Sequence, residues 1–504
     1  MKSRSRLLTL FVTLAMLLPA AAGCAPEGEK SAETTLPPDT VTEAGTTAAE
    51  SEPALTDTVP ADLTFAGETV SFLVRGGLKA EFVAESITGE VVNDAVLARN
   101  RAVEERLGCQ LNFIESRAAW SDYNAEIRRS IQGQTGEYDV ITNYAYYGAA
   151  LAVEGLYLNL LDLPYLTLEQ PWWNQSFVEE MTVYNSLYFI VGDMTTTAFD
   201  RAMVTLFNKA LVENYYGSLD LYAVVNEGKW TLDYLGELVK DAYEDLNGNG
   251  QNDLEDFHGV GFNLGSMCVD GMQTALGIKL TARNSEGTPE MTLNTQHFLD
   301  AYEKLYNFIY RNPGVGYNPT TNTGYYGTMG NTYYMSQKLL GRQCIFAFDI
   351  LSDTNILRDF DDPYGLLPLP KYDEAQSDYR TTPQDAYSLV SVSTTVSSPE
   401  LVGAVLEVMG AESYRQLRPA YFEKTYKYKY LDAPADAEMF DLIVDHIAYD
   451  FGVVNSSALS DPAWIFRKQM VQGTESIASL IAATEKLHQR RLTTVLEKYQ
   501  ALSQ

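Results

Sequence analysis

"GETVSFLVRGG", Gly67 to Gly77, decides the fold class. Its centre is a short β-branched, aromatic and aliphatic run closed by two glycines, which reads as a buried strand. A helical pattern follows from Asn93, with Val96, Val103 and Leu107 on one face and Gly108 placed to end it. "CQLNFIES" (109–116) is a second strand, a helix through Ile127 and Ile131 comes next, and "YDVITN" (138–143) is a third strand. The order βαβαβ predicts an α/β domain with a parallel sheet at its core. Ligands of such sheets lie beyond the carboxyl ends of the strands. Arg75, Asn143, Tyr144 and Tyr146 fall at those ends.

Upstream, Lys2, Arg4 and Arg6 precede an apolar run from Leu7 to Leu18. That run is shorter than the ~18 residues needed to cross a bilayer, so it reads as a signal peptide spanning 1–23. It ends in "PAAAGC", which resembles a bacterial lipobox and implies an acylated, palmitate-type anchor at Cys24. Residues 24–61 are dominated by Ala, Thr, Glu and Pro without hydrophobic periodicity and cannot bury enough surface to fold. They form a tether. About 35 flexible residues have a root-mean-square span of about 33 Å.

The remaining chain is too long for one core, which stops growing near ~250–300 residues, so two lobes are expected. Removing Met1–Gly23 takes three basic residues and no acidic ones, moving the net charge from −31 to −34. Nucleic acid is excluded as a partner, because neutralising phosphates needs basic surface. Besides Cys24 there are three cysteines, Cys109, Cys268 and Cys344, which allow one disulfide and no disulfide scaffold. His258, His297, His446 and His488 are scattered and lack zinc-ligand spacing.

Further along, Thr231 opens a helix carrying Leu232, Leu235, Leu238, Val239 and Ala242 at helical spacing. "DLNGNGQNDLED" follows. Asp245, Asn247, Asn249 and Asp253 supply direct or water-mediated oxygen ligands, Gln251 a backbone carbonyl and Asp256 the terminal carboxylate, while Gly250 permits the sharp turn. This is the ligand pattern of a structural calcium site. Position eight is Asn252, and "FHGVGF" after the loop reads as a strand, so there is no helix pair for the ion to open. The loop is expected to staple a helix end to a strand, filled by extracellular calcium even at affinities of ~10⁻⁴–10⁻³ M.

These stretches together resemble the extracellular solute-binding lipoproteins of ABC importers, in particular the sugar-binding, family 1-like group of Gram-positive bacteria. "VTLFNKALVENYYG" with "GKWTLDYLGELVKDAYEDLNGNGQNDLEDFHGVGF" is similar to that group's entry into its second lobe, and "KLLGRQCIFAFDI" to its strand before the cleft. "YGLLPLPKYDEAQSDYRT" and "FDLIVDHIAYDFG" extend the likeness over most of Ala66–Leu502. The resemblance implies a two-lobed, type II periplasmic-binding-protein-like α/β fold that closes on a hinge. It places 62–195 and about 390–440 in lobe 1, and 196–389 and about 441–504 in lobe 2, with the C-terminal helices open to sharing. Crossings between lobes are expected near Tyr188–Ala202 and Pro383–Ser393.

The implied function is capture of a carbohydrate by a monomer held to the membrane by its lipid, and delivery to ABC permease subunits. Sugars present hydroxyls and apolar C–H faces, so a receptor needs aromatic rings with paired donors and acceptors. The chain has 33 tyrosines, and by position the ligand contacts are Arg75, Asn143, Tyr144, Tyr146, Asp200, Arg201, Asp349 and Trp464. Trp172 and Trp173 read as lobe packing. The competing readings are a secreted, calcium-stabilised glycan-active enzyme, a surface scaffold, and a receptor for another solute such as a peptide. An enzyme would need two carboxylates ~5–9.5 Å apart across the cleft.

Overall fold

Thr69–Arg75 (β1) has Val70, Phe72, Leu73 and Val74 fully buried, the continuous apolar character of a strand covered on both faces. A computed structural model of the chain describes residues 55–118, 121–264, 266–318, 334–427 and 434–503. The leader, Cys24 and most of the expected tether lie outside the described residues. Val91–Leu107 (α1) starts where the Glu90 side chain accepts the backbone N–H of Asn93. It ends at Gly108, whose φ of 59° is the left-handed cap that glycine adopts without strain. Gln110–Ser116 (β2), Ser121–Gln132 (α2), Val140–Tyr144 (β3) and Ala145–Ala152 (α3) complete the expected alternation.

β1 pairs in parallel with both β2 and β3. A strand from far along the chain, labelled β10 below (Ser388–Val392), adds antiparallel to β3 with Leu389 opposite Asn143. The first sheet therefore runs β10-β3-β1-β2. Gln175–Met181 (α4) then leads into the connecting segment.

The second sheet is built from Met203–Asn208 (β4), Tyr243–Glu244 (β5), Phe257–Phe262 (β6), Val315–Tyr317 (β7), Cys344–Ile350 (β8) and Tyr364–Leu367 (β9). Its order is β9-β4-β8-β6-β5, with β7 also on β6. β6, β7 and β8 are mutually parallel where they pair, and β4 runs against β8. The helices on it include Leu232–Val239 (α5), opened as expected by the Thr231 hydroxyl accepting from Tyr234, and Ser266–Ala275 (α6).

Three segments join the two sheets and lie side by side. Isolated bridges connect Ile190 with Val390, Ala202 with Pro383, and Thr381 with Ile447. Glu81, buried beyond β1, accepts hydrogen bonds from Thr197 N and Oγ1 and from Ser388 Oγ, so one carboxylate holds two of the three segments. Pro399–Glu412 (α7) packs on α1; Arg418–Lys427 (α8) follows, and Pro434–Asp445 (α9) packs on β9. Phe451–Val454 (α10) and Pro462–Val471 (α11) return to the junction.

At the end of α5 the structure departs from the sequence reading. The helix opened by Thr231 stops at Val239, and Tyr243–Glu244 pairs with His258 and Phe257 instead of leaving the helix directly into the loop. Asn312 Nδ2 takes the carbonyl of Gly236 at 2.9 Å, and the chain at Gly314 approaches so close that a Cβ there would stand 1.7 Å from Val239 O. The helix end is thus capped by a tertiary neighbour. The loop closes a β-hairpin. Cys109, Cys268 and Cys344 are buried free thiols. Among the described residues no helix is long and apolar enough to cross a membrane.

Candidate functional site

The carboxyl ends of β1 and β3 place Arg75 and Tyr144 together, with the guanidinium carbon 4.0 Å from the centre of the ring. Arg75 donates to Ala386 O at 2.9 Å and Ser388 Oγ at 2.7 Å. Burial lowers its affinity for the proton, with the charge of Glu81 acting in the other direction. Glu81 is itself pushed up by burial, opposed first by its bond from Ser388. Arg75 is thus held in place by the connecting segment that carries Ala386 and Ser388.

Asn143 points inward. Its Nδ2 donates to Asn124 Oδ1 at 2.9 Å and its Oδ1 accepts the Tyr144 backbone N–H at 2.7 Å, fixing β3 against α2. Tyr146, two residues on, points along the junction and donates to Asp461 Oδ1 at 2.6 Å. Its ring centre is 6.0 Å from that of Trp464, and the Arg467 guanidinium sits 4.8 Å over the Trp464 ring. Arg467 forms a two-pronged pair with Asp270 on α6, with Nε to Oδ1 at 2.8 Å, and lies 3.4 Å from Asp385.

Tyr146, Trp464, Arg467, Asp270, Asp385 and Tyr387 line one cavity at the junction, with about 620 Å³ of unfilled space, part of it open to solvent. Only about 50 Å³ of it admits the centre of a water-sized sphere. A sugar ring would enter only after the two halves separate. Burial pushes Asp385 up to about 6, opposed by the charge of Arg201, and lowers Arg467 to about 10.

Arg201 is half-buried at the first crossing and donates to Gln384 Oε1 at 2.5 Å. The adjacent Asp200 turns the other way and accepts from Tyr421 on α8 at 2.5 Å. Asp349, at the end of β8, is buried and accepts from Ser336 N at 3.2 Å, from the Ser336 hydroxyl and from Ile350 N at 3.0 Å. Asp353 is buried beside it. Burial raises both carboxyls, and the charge of Asp349 adds to the effect on Asp353, so the pair retains a proton at neutral pH.

The structure therefore brings Tyr146 and Trp464 into one cavity and joins Arg75 to Tyr144. It gives Asn143, Asp200 and Asp349 protein partners of their own. Sequence reasoning missed Asp461, Arg467, Asp270 and Asp385. Arg467 stands three residues after Trp464, the spacing that puts two helical side chains on one face, and that could have found it. Asp461 carried no such pattern.

In the hairpin loop, Asp245 Oδ1 and Oδ2 accept from Gly248 N and Gly250 N at 2.6 and 2.9 Å. Asn249 Nδ2 donates to Asp253 Oδ2 at 2.7 Å, and Asn247 Nδ2 reaches both Asp253 oxygens at 3.3 Å. Asp256 is fully buried and receives Leu246 N, Asp253 N and the Tyr243 hydroxyl. The Gln251 carbonyl also accepts from Tyr243. Burial raises the Tyr243 hydroxyl first, the bond to Asp256 and the charges of Asp256, Asp245 and Asp253 adding to it, while among the described residues no three acidic, histidine or cysteine side chains stand close enough together to hold a metal ion. Oxygen donors of this kind suit a hard divalent cation.

No family model matches the chain, and no curated protein matches it. Solved structures do. The sugar-binding protein MalE from the phytopathogen Xanthomonas citri aligns over 86% of this chain and 99% of its own, with a TM-score of 0.56 at 13% identity. The fold is that of the ABC-transporter substrate-binding proteins. An ABC substrate-binding protein from Listeria monocytogenes, solved with cycloalternan, covers 86% of this chain and 99% of its own at TM-score 0.53 and 13% identity. The galacto-N-biose-/lacto-N-biose I-binding protein of Bifidobacterium longum, solved with lacto-N-biose, covers 87% and 98% at TM-score 0.52 and 12% identity. In the substrate-binding-protein fold of this chain, the cavity under Tyr146 and Trp464 sits between the two sheets.

Proposed function

We propose that the chain is a lipid-anchored extracellular receptor that captures a carbohydrate by closing its two halves and passes it unchanged to an ABC permease. The observation that carries this is the junction cavity. Two aromatic rings, Tyr146 and Trp464, and the charged groups Asp270, Arg467 and Asp385 meet there from elements of both halves, with Asp461 behind them on the Tyr146 hydroxyl. Rings for C–H faces and charged groups for hydroxyl pairs are what a sugar requires. The neighbours of the same fold that were solved with cycloalternan and lacto-N-biose support a saccharide over a peptide. Closure couples the ligand to a shape change, and the equilibrium moves only as far as the ligand prefers the closed form. The residues assigned to contact are Tyr146, Trp464, Tyr144, Arg75 and Arg201, with Asp461 added.

The same reading gives the hairpin loop to calcium. Asp245, Asn247, Asn249, the Gln251 carbonyl, Asp253 and Asp256 would hold the ion, which would supply positive charge to the loop carboxylates once they turn from their present hydrogen-bond donors. Cys24 would carry the lipid.

A thermal-shift and calorimetric screen of the mature chain against maltotetraose, lacto-N-biose and a tripeptide tests the function. Binding of a saccharide, recovered chemically unaltered, is the expected result. Saturable binding of the tripeptide alone, or recovery of a cleaved saccharide, would overturn it.

A further inference from the structure

A second cavity lies on the other side of the connecting segments. Its walls include Trp173, Asp193, Phe199, Arg418, Asp445 and Tyr449, and of these only Tyr449 also lines the junction cavity. Its volume is about 190 Å³, against about 50 Å³ for the junction cavity.

Two ionisable groups line it, Asp193 and Arg418, and burial pushes the Asp193 carboxyl up to about 7, opposed by the charge of Arg418, so a cationic partner would be needed to hold it ionised. Asp193 is 4% exposed, yet among the described residues its carboxylate accepts no hydrogen bond, and Oδ2 is buried without any partner. Arg418 Nη1 stands 3.6 Å from Asp193 Oδ1, and Nη2 stands 3.9 Å from Asp445 Oδ1. Both distances exceed the ~2.7–2.9 Å of a charge-assisted hydrogen bond, so this is an ion pair without donors engaged. Asp193 is fixed in a turn by its own N–H to Trp172 O at 2.9 Å, while the Arg418 guanidinium lies near the Tyr414 and Phe422 rings at 5.6 and 5.5 Å.

A buried carboxylate without a donor is costly, and a native chain retains one where something supplies the donor. We propose that this cavity is a second binding site, for a small zwitterion of the α-amino-acid type, its ammonium on Asp193 and its carboxylate on Arg418. A pyranose fits less well, because Trp172 and Trp173 are 1% and 2% exposed and leave no ring face for stacking. Opposite charges 3.6 Å apart instead match a ligand whose own opposite charges are one carbon apart.

Isothermal titration of the mature chain with L-serine, and in parallel with N-acetyl-L-serine and L-serinamide, tests the proposal. L-serine should bind at one saturable site, and each capped analogue should bind at least 10-fold more weakly, because each has lost one of the two charges. Asp193→Asn and Arg418→Gln should each weaken L-serine at least 10-fold, while Tyr146→Phe, in the junction cavity, should leave it unchanged. The analogue comparison uses the unaltered protein and stands even if a variant misfolds. Absence of saturable heat with L-serine, equal binding of the capped analogues, or loss of L-serine binding in Tyr146→Phe would each overturn it.

Discussion

Tyr146 donates to Asp461 at 2.6 Å, joining the first turn of α3 to the residue that opens α11. The contact requires an unusual backbone. Ser460 and Asp461 have φ of 67° and 58°, two consecutive left-handed residues with no glycine between them, and Asp461 makes no capping bond to its own helix. The carboxylate that would ordinarily cap α11 is turned across the junction.

Left-handed geometry costs a non-glycine residue about 1–2 kcal/mol, so Ser460→Gly should stabilise the chain by about 1 kcal/mol while leaving the Tyr146 contact in place. Asp461→Asn removes the charged acceptor and should cost about 1.5 kcal/mol. Urea denaturation of both variants measures this. If Asp461→Asn is as stable as the parent, the contact is a by-product of the turn.

Asp349 and Asp353 set a pH dependence. Burial raises the Asp353 carboxyl well above its ordinary value, with the Asp349 charge second, so its folded-state value lies above the unfolded one. The stabilisation linked to that proton is complete below the unfolded value near ~4 and is lost progressively as pH rises toward the folded value. One proton limits the slope to about 1.4 kcal/mol per pH unit. Asp353→Asn, which mimics the protonated acid, should flatten the stability profile between pH 5 and 8 and be at least as stable as the parent at pH 8. A parallel profile in parent and variant would place the proton elsewhere.

The parallel sheet was legible because β1 and β3 are short, β-branched and aliphatic segments that alternate with helical patterns, and most of their residues are buried. The Gly108 cap and the Thr231 hydroxyl were legible for local reasons. The site was not. Tyr146 and Asp461 are 315 residues apart, and nothing local marks a left-handed Ser-Asp pair. Asn143 shows the converse, since a polar residue at a strand end can face the core when α2 offers Asn124 as a partner. The hairpin at Tyr243 was hidden because Asn312, which caps α5, lies 76 residues beyond Gly236.

Arg467 is a deeply buried charge at the junction, at 3% side-chain exposure between Asp270 and Asp385. Removing one partner of such a pair typically costs about 3–5 kcal/mol, because the remaining charge is left buried. Arg467→Met should therefore destabilise by about 3 kcal/mol, and Arg467→Met with Asp270→Leu should recover a large part of it. Denaturation of the single and double variants gives the coupling. Additive losses would show that Arg467 is not paired with Asp270 in solution.

Calcium is tested by its removal. The loop carries Asp245, Asp253, Glu255 and Asp256, and hydrogen bonds from the Asn249 amide, the Glu255 backbone N–H and the Asn247 amide lower the Asp253 carboxyl and keep it charged. A bound ion would add the missing positive charge and tie β5 to β6. Ligand present at 100 times its dissociation constant adds about 2.7 kcal/mol. Scanning calorimetry in millimolar calcium should give a higher melting temperature than in excess EDTA, with magnesium restoring less, since it tolerates irregular oxygen shells poorly. Asp245→Asn should shrink the difference, because it removes one of the three carboxylates without altering the turn glycines Gly248 and Gly250. Superimposable melting curves in calcium and EDTA would mean that the hairpin is held by its hydrogen bonds alone, through Tyr243, Asp256 and the Asn252 side chain, whose Oδ1 lies 2.8 Å from His258 Nε2.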